Sequence, residues 1–160
     1  MKNRITAMLL TIAAILTLTG CGGERPDISM ETVRAAIDEA APAETLPVMM
    51  EYDAAAIKTY YGLGAAEVEA FSGQISLLNV SAAEVLIICA QRNKADVVLQ
   101  AAETRKAVLE ERWRAADETQ YALVQDCRIV QSGDWLLFVI AEAANEISES
   151  FITCIDSQKS

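Results

Sequence analysis

The sequence contains no histidine among its 160 residues. This absence excludes imidazole metal ligands, Ser-His-Asp triads and Cys-His nucleophiles, and it removes the commonest general acid-base residue. Proline is scarce, with 3 residues, and aromatic residues make up only 6% of the chain. Basic residues are also few: the chain has 13 Lys and Arg and 23 Asp and Glu, which gives a formal charge of −10. A surface this acidic repels phosphate backbones, so we expect no nucleic-acid partner.

Apolar residues account for 52% of the composition, which predicts a chain that buries a core rather than a disordered one. A length of 160 residues suits one compact domain with a short terminal extension. The sequence has no Gly-rich phosphate loop, no CxxC pair and no Asp-rich calcium loop. We therefore expect neither a metal site nor a cofactor.

The first twenty residues have the pattern of an export signal. Lys2 and Arg4 give a positive start, and the apolar stretch over residues 5–16 is shorter than the ~20 residues that span a bilayer as a helix. The segment Leu18-Thr19-Gly20-Cys21 then resembles the lipobox of bacterial lipoproteins, whose cysteine is lipidated on its thiol and becomes the mature N-terminus. The resemblance implies cleavage before Cys21 and attachment of acyl chains such as palmitate.

These features divide the chain into three parts. Residues 1–20 are predicted to be a lipoprotein signal peptide, and residues 21–26 the lipidated Cys21 with a short Gly- and Pro-containing tether. Residues 27–160 are predicted to form a single domain. The expected location is the cell membrane, with the domain lipid-anchored on its extracytoplasmic face.

The periodicity of the apolar residues predicts a mixed fold. Three-four spacing indicates helices over residues 27–41, 54–61, about 94–116 and 143–154. Alternating or continuous apolar runs indicate strands over residues 71–78, 85–90, 127–131 and 135–141. The expected fold class is α+β, in which a small antiparallel sheet of two hairpins, about four strands, packs against the long helix, with flanking N- and C-terminal helices.

Several residues are predicted to set the ends of these elements. Asp27, Asp53 and Asn93 are candidate N-caps, and Gly62 stands where a left-handed residue ends the second helix. The turn Ser132-Gly133-Asp134 joins the second hairpin. The capping-box pattern from Ser81 to Glu84 is interpreted as the start of a strand, because Val and Ile dominate the next few residues.

The long helix is expected to bury one stripe and expose the other. Its apolar side carries Val98, Ala102, Leu109, Trp113 and Ala116, whereas Glu110 and Arg114 are spaced to pair at i, i+4 on the exposed side.

Three cysteines remain besides Cys21. Cys89 lies within an apolar strand, where a cysteine usually behaves as a small buried hydrophobe. Spacing alone leaves open whether Cys127 and Cys154 form a disulfide.

Three motifs are similar to those of a known family. They are Tyr60-Tyr61-Gly62-Leu63, the segment Asn79–Val85 ahead of an apolar strand, and Gly133-Asp134-Trp135. In this order, around a long charged helix, they resemble the bacterial domain of unknown function numbered 4358, over about Met49 to Phe151. The resemblance implies a small lipoprotein of the kind found in Gram-positive anaerobes. Its motifs are turn and packing residues, so it implies no catalytic residue.

Carboxylates are the only abundant reactive groups, and their pairs are the candidates for glycosidase chemistry. Glu67/Glu69, Glu110/Glu111 and Asp117/Glu118 are all better explained as solvated surface. Tyr52, Tyr60 and Tyr61 with Trp113 suggest an aromatic sugar platform, although packing of the tyrosines on the sheet is the favoured interpretation.

We therefore predict a non-catalytic interaction or accessory module, with no catalytic residue and Cys21 as the lipidation site. Its expected partners are the membrane, through the lipid anchor, and a protein of the cell envelope. Two alternatives stay open, a carboxylate-dependent enzyme acting on envelope glycans and a lipoprotein that binds a small ligand or cation.

Overall fold

The computed structural model describes residues 28–41 and 48–158. These residues form, in chain order, α1 Met30–Ala40, β1 Met49–Glu51, α2 Ala54–Tyr61, β2 Val68–Ser76, β3 Glu84–Ala90, α3 Ala95–Arg114, α4 Glu118–Gln125, β4 Arg128–Ser132, β5 Trp135–Ile140 and α5 Ala144–Asp156. The predicted signal peptide, Cys21, the tether and the Asp27 cap lie outside the described residues.

The strands form one antiparallel sheet in the order β1-β2-β3-β5-β4. This confirms the α+β class and both predicted hairpins, and it corrects the strand count from about four to five. The extra strand, β1, pairs Met50 with Ile75 of β2. It was missed because three residues are too few to show an alternating pattern.

The sheet buries both of its faces, which gives three layers. On one face, Leu86, Ile88 and Phe138 pack with the buried stripes of α2, α3 and α4. On the other, Ile87 and Leu137 pack with α1 and α5. The alternation of neighbouring residues between two apolar layers explains why residues 85–90 of β3 and the whole of β5 are continuously apolar.

Local capping accounts for two of the shorter helices. The Asp53 carboxylate accepts a hydrogen bond of 2.7 Å from the backbone N–H of Ala56, and Gly62 ends α2 with a φ of 71°. Both were predicted. α1 begins at Met30 with Ser29 as its cap, because the Ser29 hydroxyl accepts from the N–H of Thr32.

Two expectations about the long helix need correction. Asn93 does not cap α3: it has a φ of 64°, a left-handed conformation that asparagine tolerates, and the helix begins at Ala95. Glu110 pairs with Lys106 at 3.8 Å rather than with Arg114. The predicted buried stripe is otherwise confirmed, except that Ala116 is exposed and lies beyond the helix end.

Helix α4 was not predicted. Asp117 caps it by accepting from the N–H of Gln120 at 2.9 Å. Its eight residues bury only Val124 fully, so its sequence has little apolar periodicity.

The close contact between β2 and β3 depends on Gly73. A Cβ at this position would lie 2.3 Å from the carbonyl oxygen of Val85. Only glycine therefore allows the two backbones to approach as closely as they do.

The described cysteines form no disulfide. Cys127 is buried on the sheet face that carries α3, and Cys154 packs on the face that carries α5, so the sheet separates them. Burial raises the pKa of the Cys127 thiol to about 12. Cys89 is buried, as predicted. No helix within residues 28–41 and 48–158 has the length and apolar character needed to cross a membrane.

Candidate functional site

A buried glutamate lies at the centre of the most unusual polar cluster in the described part of the chain. Glu84 is the first residue of β3 and is 1% exposed. It shares the strand face of Leu86 and Ile88, so its side chain is directed toward the layer of α2 and α3. A carboxylate buried this deeply needs a cation or several donors.

Arg105 of α3 supplies the cation. Its Nη2 lies 2.8 Å from Oε2 of Glu84 and its Nε 3.2 Å from the same oxygen. Arg105 is itself only 7% exposed, so water screens this ion pair weakly. The pair joins the beginning of β3 to the middle of the long helix.

Two tyrosine hydroxyls satisfy the other carboxylate oxygen. Tyr52, between β1 and α2, donates to Oε1 of Glu84 at 2.5 Å, and Tyr61, the last residue of α2, donates to the same atom. We call Glu84, Arg105, Tyr52 and Tyr61 the Glu84 network. It ties β1, α2, β3 and α3 together at one end of the sheet.

The network keeps its tyrosines protonated. Burial raises the pKa of Tyr52 and of Tyr61, and the Glu84 carboxylate raises both pKa values further because a second negative charge beside it is unfavourable. Burial alone would lower the pKa of Arg105, but the Glu84 carboxylate and the two tyrosines together more than offset this, and the pKa is raised. The tyrosines thus act as hydrogen-bond donors and the arginine as a permanent cation.

An open cleft of about 160 Å³ lies against this network. Its walls come from α2, α3 and residues 75–84, and its lining includes Met50, Tyr60, Leu77, Leu78, Ser81, Glu84, Arg105, Leu109, Arg112 and Trp113. The guanidinium carbon of Arg105 lies 4.6 Å from the ring centre of Tyr60, and that of Arg112 lies 5.1 Å from the ring of Trp113. Both distances allow cation-π attraction.

The loop over residues 77–83, which forms one wall, is held by side chains. The N–H of Ala82 donates to Oε1 of Gln120 in α4 at 2.7 Å, and the N–H of Ala83 donates to the hydroxyl of Ser81 at 3.2 Å. The loop therefore has a defined position relative to α4.

Aliphatic side chains are exposed around the mouth of the cleft. Leu77 is 54% exposed, Leu78 46% and Val80 72%, and Met50 of β1 is 42% exposed. Val48 extends the group, because its carbonyl accepts from the N–H of Leu77. We call Val48, Met50, Leu77, Leu78 and Val80 the apolar rim.

The aromatic residues singled out in the sequence divide between core and cleft. Tyr52, Tyr61 and Trp113 are buried, as the packing interpretation predicts, and the Tyr61 ring lies 5.8 Å from that of Phe138. Tyr60 is 41% exposed and lines the cleft.

The predicted carboxylate pairs do not meet in this cleft. Glu110 pairs with Lys106, Asp117 caps α4, and Glu67 accepts from the N–H of Gly64 at 3.0 Å. Glu84 is the one carboxylate among the described residues that lines the cleft. Within the same residues no group of three or more His, Cys, Asp or Glu is arranged to hold a metal ion.

Sequence reasoning missed both charged members of the network. The pattern around Glu84 indicated only a cap or a strand start, and nothing local marked Arg105 as part of a site. One signal was present, since Arg105 falls within the stripe of Val98, Ala102 and Leu109. A basic residue inside a buried stripe requires a buried acidic partner.

Comparison with known proteins identifies a family. The family model described as "Domain of unknown function (DUF4358)" matches residues 42–141. No curated protein and no solved structure matches the chain. The matched range contains all five strands and the whole Glu84 network but excludes α1 and α5.

The buried pair should be strongly coupled in stability. We expect Arg105→Met to lower the free energy of unfolding by about 3–5 kcal/mol, because it leaves the Glu84 carboxylate buried without its cation. Adding Glu84→Gln to that variant should recover part of the loss. Denaturant unfolding of the parent protein, the two single variants Arg105→Met and Glu84→Gln, and the double variant measures the coupling.

The adjacent half-buried pair, Lys106 and Glu110, is the matched control. Lys106→Met on the same helix should cost no more than about 0.5 kcal/mol, since the Lys106–Glu110 pair is partly solvated. Equal losses for Arg105→Met and Lys106→Met, or strictly additive losses in the double variant, would contradict the buried ion pair.

Proposed function

The chain belongs to the DUF4358 family, and we propose that it is a lipid-anchored binding module, held on the extracytoplasmic face of the cell membrane through Cys21. The domain binds another protein of the cell envelope and catalyses no reaction of its own. The binding surface is the apolar rim with the cleft that it surrounds.

The exposed rim is the observation that carries this proposal. Its five aliphatic residues come from two neighbouring segments of the chain, and each is more than two-fifths exposed. Grouped apolar side chains on a protein surface mark sites where a partner removes them from water. The wall behind them is fixed by the Glu84 network, so a partner meets a surface that is already formed.

The cleft supports binding better than it supports either alternative. Glycosidases use two carboxyl groups that flank the scissile bond, whereas the Glu84 carboxylate is already engaged by Arg105, Tyr52 and Tyr61. A volume of about 160 Å³ is also below the roughly 300–1,000 Å³ of sites that enclose a small ligand. It is of a size to receive one or two side chains.

The membrane anchor rests on the N-terminal motif. The first 21 residues have the order of a lipoprotein signal: the basic Lys2 and Arg4, then a short apolar stretch, then Leu18-Thr19-Gly20-Cys21. Two acyl chains give stable attachment where a single chain is marginal.

Replacing the lipidated cysteine tests the anchor. We expect Cys21→Ser to abolish labelling by a palmitate analogue in cells, because the acceptor thiol is lost. The protein should then leave the membrane fraction or retain its signal peptide. Cys154→Ser, which removes a thiol of the folded domain, should keep full labelling. Labelling that persists in Cys21→Ser would contradict the assignment.

Photocrosslinking in living cells tests the binding surface. A photoreactive residue at Val80 should give a discrete protein adduct, because this side chain is the most exposed of the rim. The same probe at Ile152 of α5, which is 41% exposed in the opposite layer, is the matched control. The Val80 adduct should disappear when Leu78→Asp is added. Adducts of equal yield at both positions, or none at Val80, would contradict the proposed surface.

A further inference from the structure

We infer that the cleft receives a carboxylate borne by an aliphatic polypeptide segment of the partner, with Arg112 as the residue that binds the carboxylate. This inference rests on the proposed binding function and adds the chemistry of the group that is recognised. It depends on Arg112, the one arginine of the cleft that no carboxylate within residues 28–41 and 48–158 neutralises.

Arg112 differs from Arg105 in having no acidic partner in the part of the chain that the structure describes. Arg105 forms the buried ion pair with Glu84, whereas Arg112 is exposed and pairs with no carboxylate of the described residues. Its guanidinium lies instead over the ring of Trp113, at 5.1 Å. A guanidinium attracted to the face of an aromatic ring keeps its N–H groups available, and a guanidinium binds a carboxylate through two parallel hydrogen bonds.

Two further residues of the cleft lining, Arg105 and Trp113, each have a donor with no partner among the described residues. Arg105 makes its hydrogen bonds to Glu84 through Nε and Nη2, which leaves Nη1 without a partner among residues 28–41 and 48–158. Trp113 is 4% exposed, and its indole Nε1 likewise has no partner there. The cleft lining thus includes two arginines, Arg105 and Arg112, with N–H groups that have no partner among the described residues, and a ligand with acceptor oxygens is complementary to them.

The charge of the chain favours a carboxylate over a phosphate. With a formal charge of −10, the protein repels anions in general, and a dianion more strongly than a monoanion. A single unpaired guanidinium matches the single charge of a carboxylate. Leu77 and Leu78 beside it match an aliphatic neighbour rather than a hydrated phosphate.

The extent of the rim favours a polypeptide over a small molecule. Val48 and Val80 are among the most exposed apolar residues, yet neither lines the cleft itself. A ligand confined to the cleft would leave both in water, whereas a peptide crossing the mouth covers them. β1 is also an edge strand of the described sheet, and an extended segment pairs readily with such an edge.

A matched pair of peptides tests the inference. The full chain carrying Trp135→Phe is reconstituted in phosphatidylcholine vesicles, so that Trp113 is its only tryptophan. Acetyl-Val-Leu-Asp-Val-Leu-amide is titrated against the same peptide with asparagine in place of aspartate, and tryptophan fluorescence is recorded. We expect the aspartate peptide to bind about tenfold more tightly, because only it makes charge-assisted hydrogen bonds.

Two arginine variants locate the interaction. Arg112→Gln should reduce the affinity for the aspartate peptide to that of the asparagine peptide. Arg114→Gln is the control, since Arg114 is exposed on the same helix but lies 5.7 Å from the ring centre of Tyr121, outside the cleft lining. It should leave the preference for aspartate unchanged. Inorganic phosphate at the peptide concentration should not displace the aspartate peptide.

Several results would overturn the inference: no saturable binding of either peptide, equal affinities for the two, a preference that survives Arg112→Gln, or displacement by phosphate. Any of these together with a specific Val80 adduct in cells would reject carboxylate recognition and leave the binding module standing. Absence of both the preference and the adduct would reject the two together.

Discussion

The architecture depends on how one carboxylate is kept away from water. Glu84 begins a strand that is buried on both faces, and its charge is compatible with that position only because Arg105 and two tyrosine hydroxyls surround it. Removing two charges from water costs several kcal/mol per ion, and it is offset only when every lone pair is satisfied in good geometry. The same requirement fixes Tyr52 and Tyr61, and with them the junction of β1 and α2, against the long helix.

The cleft is a consequence of that arrangement. Because Arg105 is held by Glu84, its guanidinium has a fixed position against the Tyr60 ring in the wall of the cleft. Arg112 lies about two helical turns further along the same helix and has no acidic partner among the described residues. One arginine therefore serves the fold and the other is available to a partner. A pre-formed wall of this kind lowers the ordering cost that binding would otherwise carry.

Sequence patterns predicted most of the fold and little of the site. Long helices are indicated by the period of their apolar residues, as in the buried stripe of α3, and buried strands by a continuous apolar run, as in β5. The Asp53 and Gly62 caps were predictable because they depend on local chemistry. β1 and α4 were not predicted, because each is short and depends on tertiary contacts. The Glu84 network was not predicted, because its members are far apart in the chain. Only folding brings residues 52 and 105 close together.

Alkaline titration tests most directly whether Glu84 is buried in a network with two protonated tyrosines. Tyrosinate absorbance and circular dichroism are measured together while the pH is raised. Because the pKa values of Tyr52 and Tyr61 are raised in the folded protein, the two tyrosines contribute to its stability below the ordinary tyrosine pKa of ~10. This contribution to the free energy of unfolding is lost as the pH rises above that value. We predict that part of the tyrosinate signal of the four tyrosines appears only as the protein unfolds. Ionisation of all four while the native dichroism persists would contradict the buried network.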